Sequence, residues 1–225
     1  MQLKRYYKLT QGTWVQSRAA LQIAIMLGMF LLLTLECAAT ESTLAHKVAV
    51  EPLAADPAIR SKGTDLKPGF SVRYYTDIFV RHIDKLMDHA TGDPGRPGSP
   101  ILQLNHQFER NPVFDSGSNR GVGMRLAGYL HFDTPGTYFL QALSNDGIRI
   151  YLGETQLLED PGVHGDRLSP EGGVRVAQPG WYPLAIWYYQ RKGTAALKLF
   201  WRPPGSEAMQ IVPPEALAHL PQPRG

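Results

Sequence analysis

Cysteine is nearly missing from this chain: there is one in 225 residues, Cys37. That excludes an internal disulfide frame. It also leaves everything after residue 37 without a thiol nucleophile or a thiolate metal site. Common catalytic signatures are missing too. There is no Gly-x-Ser-x-Gly, no His-Glu-x-x-His and no phosphate-binding loop. Gly121-Val122-Gly123 stops short of a dinucleotide fingerprint, and no strand–helix–strand unit surrounds it. Carboxylates do occur, at Asp115, Asp146, Glu154, Asp160 and Asp166. A retaining glycosidase needs two of them about 5 Å apart, and nothing in their spacing supplies such a pair. The chain is therefore read as non-catalytic. Excess charge is lacking as well. Lys and Arg number 23 against 20 Asp and Glu, a net +3. Residues 1–45 hold Lys4, Arg5, Lys8 and Arg18 against Glu36 and Glu41, so +2 of that belongs to them and +1 remains. This gives no case for nucleic acid as a partner.

There is one long apolar run, Ala19 to Leu35, preceded by those four basic residues. A positive segment followed by a short apolar one is the secretory pattern. The run contains Gln22 and falls short of the roughly 20 residues that span a bilayer. Residues 1–45 are thus expected to be a signal peptide, cleaved after Ala39 or Ala45, or an uncleaved anchor holding the protein to the membrane by residues 19–35. The product would be secreted, periplasmic or at the cell surface. Residues 46–67, rich in Ala, Pro and charge, read as a linker. Residues 68–220 form one domain and 221–225 a tail. Pro214 to His219 is expected to make one helical turn.

Within 68–220 the pattern is strand and turn. Alternating runs at Phe70–Tyr75, Val122–Phe132, Tyr138–Leu143, Ile148–Leu152, Gly173–Ala177, Trp181–Tyr189 and Ala195–Trp201 are separated by Pro, Gly and Asn/Asp turns. The fold class is therefore all-β, an antiparallel β-sandwich, with one short helix predicted over Ile78–His89. Ser144-Asn145-Asp146-Gly147 lies between two alternating runs and predicts a hairpin, with Gly147 supplying positive φ. Its adjacent amide and carboxylate oxygens are also hard ligands of the kind that suit Ca2+.

A succession of motifs carries a resemblance. Pro68-Gly69-Phe70 with Tyr74-Tyr75 comes first, then Gly128-Tyr129-Leu130 and Pro135-Gly136-Thr137-Tyr138-Phe139. Ser144 to Gly153 follows, then Gln178-Pro179-Gly180-Trp181-Tyr182-Pro183-Leu184, and finally Tyr188-Tyr189-Gln190 with Gly193 and Trp201. In order and spacing, residues 68–220 resemble the protective-antigen domain family. The resemblance implies an antiparallel sandwich and, in the family's lectin branch, a Ca2+ that binds vicinal sugar hydroxyls. There the ion is held by two adjacent aspartates, often joined by a cis peptide, and by a later asparagine. This chain has Asn145-Asp146 and, at the later position, Gln190.

Carbohydrate-binding candidates are accordingly Asn145, Asp146, His164, Tyr189, Gln190 and Arg191, with Asn145 and Asp146 as candidate Ca2+ ligands. Asp160, Asp166 and Glu171 are nearby acids that would restore a lost negative charge. Tyr189, beside the turn Gln190–Gly193, is the ring expected to reach the rim; alternation sets it and Trp187 on one face and Tyr188 on the other. Arg191 and Lys192 suit an anionic sugar. Two functions stay open: a glycan or cell-surface polysaccharide binder, and an envelope interaction or scaffold module in which the 144–147 turn is only structural.

Overall fold

The aromatic run at 181–189 becomes the strand that organises the domain, because both of its faces are covered. The computed structural model describes residues 66–221. The expected signal segment, nearly all of the linker and the end of the tail lie outside the described residues. In chain order the strands are β1 (Lys67–Pro68), β2 (Ser71–Tyr75), β3 (Arg96–Pro97), β4 (Asn105–Glu109), β5 (Val122–Phe132), β6 (Gly136–Asn145) and β7 (Ile148–Leu152). They continue with β8 (Thr155–Asp160), β9 (Arg167–Leu168), β10 (Gly172–Val176), β11 (Gly180–Gln190), β12 (Ala195–Arg202), β13 (Gln210–Ile211) and β14 (Leu217–His219). One helix, α1, spans Ile83–Ala90.

Two antiparallel sheets result. The first runs β1-β14-β5-β11-β7-β8, with β2 also on β5 and β3 on β2. The second runs β10-β6-β12-β13, with β4 also on β12 and β9 on β6. Alternating residues of both sheets fill the space between them: Leu126, Leu130, Ile150 and Tyr188 from one, Leu140, Leu197 and Trp201 from the other. This is the sandwich expected from the alternation.

A second, smaller core lies on the outer side of the first sheet. Tyr75, Ile78, Ile83, Leu86 and Tyr189 form it, with Trp187 partly buried against it. Tyr188 and Tyr189 thus face opposite layers, as period-2 geometry requires, and both are fully buried. Gly123 lets α1 approach the sheet, since a Cβ there would sit 2.3 Å from Leu86 Cδ1.

The helix is shorter than its predicted span. It begins at Ile83 because His82 caps it, Nδ1 accepting from Asp84 N at 3.3 Å. The preceding residues are spent on a crossing: Asp77 takes φ +60° and Ile78 N donates to Gly121 O at 2.8 Å. Val80, the residue that fits the helical stripe least, lies outside it. The expected turn at 214–219 is only a 3-10 turn over Pro214–Ala216, because Leu217–His219 pairs with β1 and β5. Among the described residues no helix is long and apolar enough to cross a membrane.

α1 also holds a loop, since Ile83 N donates to Pro161 O at 2.9 Å. Leu86, completely buried, is the side chain that fixes the helix to β11 and β5. Leu86→Ala is expected to lower unfolding free energy by about 2–5 kcal/mol in urea titration, as for other large-to-small core changes.

Candidate functional site

The turn at 144–147 is not a hairpin. β6 ends in the second sheet and β7 begins in the first, so Asn145-Asp146-Gly147 carries the chain across the sandwich. The ladder partners explain this: Ser144 and Asn145 pair with Leu197 and Ala196, whereas Ile148 pairs with Tyr188 and Asp160. The turn's own backbone bonds to β11. Asp146 N donates to Tyr189 O, and Tyr189 N donates to Gly147 O, each at 3.0 Å. The Asn145–Asp146 peptide is cis. Gly147 is not needed for positive φ, as the turn chemistry had suggested; it is needed for space. A Cβ there would lie 2.5 Å from Tyr189 Cε1 and 2.8 Å from Pro161 O.

Asp146 is buried and its carboxylate is shared between two loops. One oxygen accepts from His164 N at 3.1 Å, the other from Arg191 N at 2.6 Å. Asn145 Nδ2 donates to the Asp166 carboxylate at 2.9 Å and to Thr194 Oγ1 at 3.2 Å. Its carbonyl accepts from Tyr188 Oη at 2.6 Å. Asp166 also accepts from Gln107 Nε2 on β4. Three loops, 144–147, 161–166 and 190–194, therefore meet at one rim through this residue pair. Burial pushes the Asp146 carboxyl above its ordinary value of 3.8, and the Arg191 and His164 amides pull it only part of the way back. Burial likewise raises Tyr189, with the Asp146 charge adding to it.

The remaining predicted residues are gathered here but turned inward. The Tyr189 ring is fully covered, with Oη donating to Pro161 O at 3.3 Å, so it does not reach the rim surface. The cause is α1, which packs on the face that Tyr189 occupies. Gln190 is also fully buried; Nε2 makes long contacts to Gly193 O and Thr194 O at 3.4 and 3.5 Å, and Oε1 has no partner. The His164 imidazole lies against Gly165 O at 2.7 Å and within 3.2 Å of Asp160 Oδ2, though not aligned for a hydrogen bond to the latter. Asp160 is gripped by Arg167, Nε at 2.7 Å. Glu171 is paired with Arg202 at 2.7 Å, away from the turn. Arg191 faces outward in part, its Nε donating to Phe79 O at 3.2 Å, and Asp166 is exposed. Helical periodicity over 78–89 places Phe79 inside the predicted helix, whereas the crossing before α1 exposes it. A groove of about 760 Å³ lies elsewhere, over the middle of β5 and β11, floored by Ala127, Gly128 and Ala185.

A Ca2+ ion takes six to eight oxygens; here polar atoms of the pair are engaged in hydrogen bonds within the chain. Both Asp146 oxygens already accept N–H groups, and Asn145 turns its amino side to Asp166. Among the described residues, no three His, Cys, Asp or Glu side chains are grouped to hold a metal.

Residues 115–213 match the PA14 domain. None of the curated proteins matches the chain. Among solved structures, an anti-sigma factor domain-containing protein aligns at TM-score 0.57 and 16% identity, over 70% of this chain and 50% of that one. This chain therefore spans about half of that relative's length. The PA14 domain of the MpAFP antifreeze protein aligns at 0.55 and 12% identity, over 68% and 90%. The Epithelial Adhesin 6 A domain from Candida glabrata, solved in complex with Galb1-3GlcNAc, aligns at 0.55 and 13% identity, over 70% and 89%. At these identities the likeness is one of fold.

The raised Asp146 carboxyl has a definite pH signature. The folded protein keeps this proton where the unfolded chain has released it. Its stabilising contribution is therefore full below 3.8 and is lost as pH rises through the raised folded value. Urea unfolding of wild type and Asp146→Asn is expected to show the wild-type advantage shrinking from about pH 4 upward and then levelling off. An advantage that grows over the same range would reverse the assignment.

Proposed function

With a PA14 domain across residues 115–213, we propose that this chain is a non-catalytic, lectin-like glycan-binding module, secreted or held at the cell surface. One observation carries this reading: three loops converge on the buried Asn145–Asp146 pair and are tied there by hydrogen bonds within the chain itself. Preorganised loops spare a weak ligand the cost of ordering them. The sugar-bound adhesin of the same fold supports the choice of ligand class. In this reading, direct hydrogen bonds hold the loops where the lectin branch uses Ca2+, and the glycan meets the outer surface of loops 161–166 and 190–194.

A second reading has its own support. The Asn145, Asp146 and Gln190 side chains are all buried, and the His164 imidazole faces Asp160. That suits a scaffold or protein-interaction module whose turn is purely structural.

Glycan-array binding of the full chain, with Ca2+ and with EDTA, separates the two. Binding is expected in both conditions and to fall about tenfold or more in Asp146→Ala, since two amides lose a charged acceptor worth about 1.5–3 kcal/mol each. No glycan bound in either condition would favour the scaffold. A melting temperature that rises only with Ca2+ would return the metal to the site.

A further inference from the structure

Just outside the Asn145–Asp146 turn lies a set of cations in no ion pair, beside an exposed aromatic ring. Arg81, Arg120, Arg191 and Lys192 form no ion pair among the described residues. The Arg191 guanidinium makes one hydrogen bond, to Phe79 O, and Lys192 Nζ stands 5.8 Å over the Phe79 ring. The acids of the rim are engaged by neighbours: Asp146, buried, by two backbone amides, Asp160 by Arg167, and the exposed Asp166 by the Asn145 and Gln107 side-chain amides. Asp77 is the one exposed acid within the segments that build the patch.

These segments are joined by the backbone. Gly121 N donates to Arg191 O at 2.9 Å, and Gly121 O accepts from Ile78 N at 2.8 Å. The Phe79 ring lies on Gly121, where a Cβ would be 2.8 Å from Cζ. The ring is 41% exposed, so it is neither core nor free: it is a seated aromatic surface with Lys192 over it and Arg191 bonded to its own backbone carbonyl. An aromatic face offers stacking to the apolar side of a sugar ring. A guanidinium beside it offers a planar fork to a carboxylate or sulfate. The patch is small and the chain after residue 45 carries only +1, which disfavours a long uniform polyanion such as nucleic acid.

Resting on the glycan-binding reading, we propose that this rim selects acidic glycans: Phe79 stacks one sugar ring, and Arg191, Lys192 and Arg81 hold the carboxylate or sulfate it bears. Phe79 and Arg81 come from the crossing before α1, so the subsite joins that segment to the 190–194 turn.

The test measures binding of the full chain to polygalacturonate and dextran sulfate beside their neutral counterparts, methyl-esterified polygalacturonate and dextran. At least one acidic polymer is expected to bind about tenfold tighter than its neutral partner at about 0.15 M salt. The polymer preferred tells carboxylate from sulfate. Phe79→Ala and Lys192→Glu should each weaken that binding about tenfold, with Arg191→Lys intermediate because it keeps charge but loses the fork. Lys192 is exposed, and its ammonium is in no ion pair and stands over the Phe79 ring, so its variant reads the site even where Phe79→Ala unfolds the rim. Equal binding of acidic and neutral polymers, lost in Asp146→Ala, would overturn the acidic preference and leave the glycan reading standing; binding to none would overturn both. Acidic binding unchanged in Phe79→Ala and Lys192→Glu, or tighter binding to duplex DNA or phosphatidylglycerol vesicles, would also overturn it.

Discussion

Two loop amides, His164 N and Arg191 N, end on one buried carboxylate. Almost everything at this end of the sandwich depends on that. Without Asp146 both N–H groups would be unpaired in a covered site, and each would cost about 1–3 kcal/mol. With it, two surface loops acquire fixed positions relative to both sheets. Asn145 completes the arrangement from the other side, reaching Asp166 and Thr194 while its carbonyl takes the Tyr188 hydroxyl. The carboxylate's preference for charge is partly overruled by burial, so the clamp works against some desolvation. That is the cost of tying loops from inside rather than with an external ion.

The clamp can be buried because β11 is covered twice. Tyr188 faces the sandwich and its hydroxyl supports the Asn145 carbonyl. Tyr189 faces α1, and its ring and carbonyl wall the turn from the other side. The helix in turn bonds Pro161, the first residue of the clamped loop. Arg149 ties the same region together electrostatically, bridging Asp84 of α1 at 2.9 Å and Glu159 of β8 at 2.5 Å while only 12% exposed. Because those acids belong to structural pairs, they do not neutralise the cations at 81 and 191–192. The segments at 79–81 and 191–192 are left basic and aromatic at the surface.

Much of the fold was legible beforehand. Period-2 alternation over 122–132, 181–189 and 195–201 needs no tertiary information to mark strands, and the paired sheets follow from burying one face of each. The site was legible in place but not in pose. Asn145, Asp146, His164, Gln190 and Arg191 do come together, yet their side chains point mostly into the protein. Tyr189 is the plainest case. Its position in the strand was readable, but whether its ring met solvent depended on a helix from a hundred residues earlier. Phe79 shows the converse: helical periodicity absorbed a residue that the crossing to Gly121 exposes.

By itself, then, the sequence determined the seven strands marked by alternation, the lack of a thiol after residue 37, and the turn where polar groups collect. These depend on residue type and local spacing. Only tertiary structure decided that the 144–147 turn crosses between sheets, that Asp146 holds amides from residues 18 and 45 positions away, and that Phe79 is exposed beside Arg191 and Lys192. Those outcomes depend on which distant backbone groups arrive at one carboxylate. No local pattern encodes that, because hydrogen-bond partners are chosen by proximity after folding.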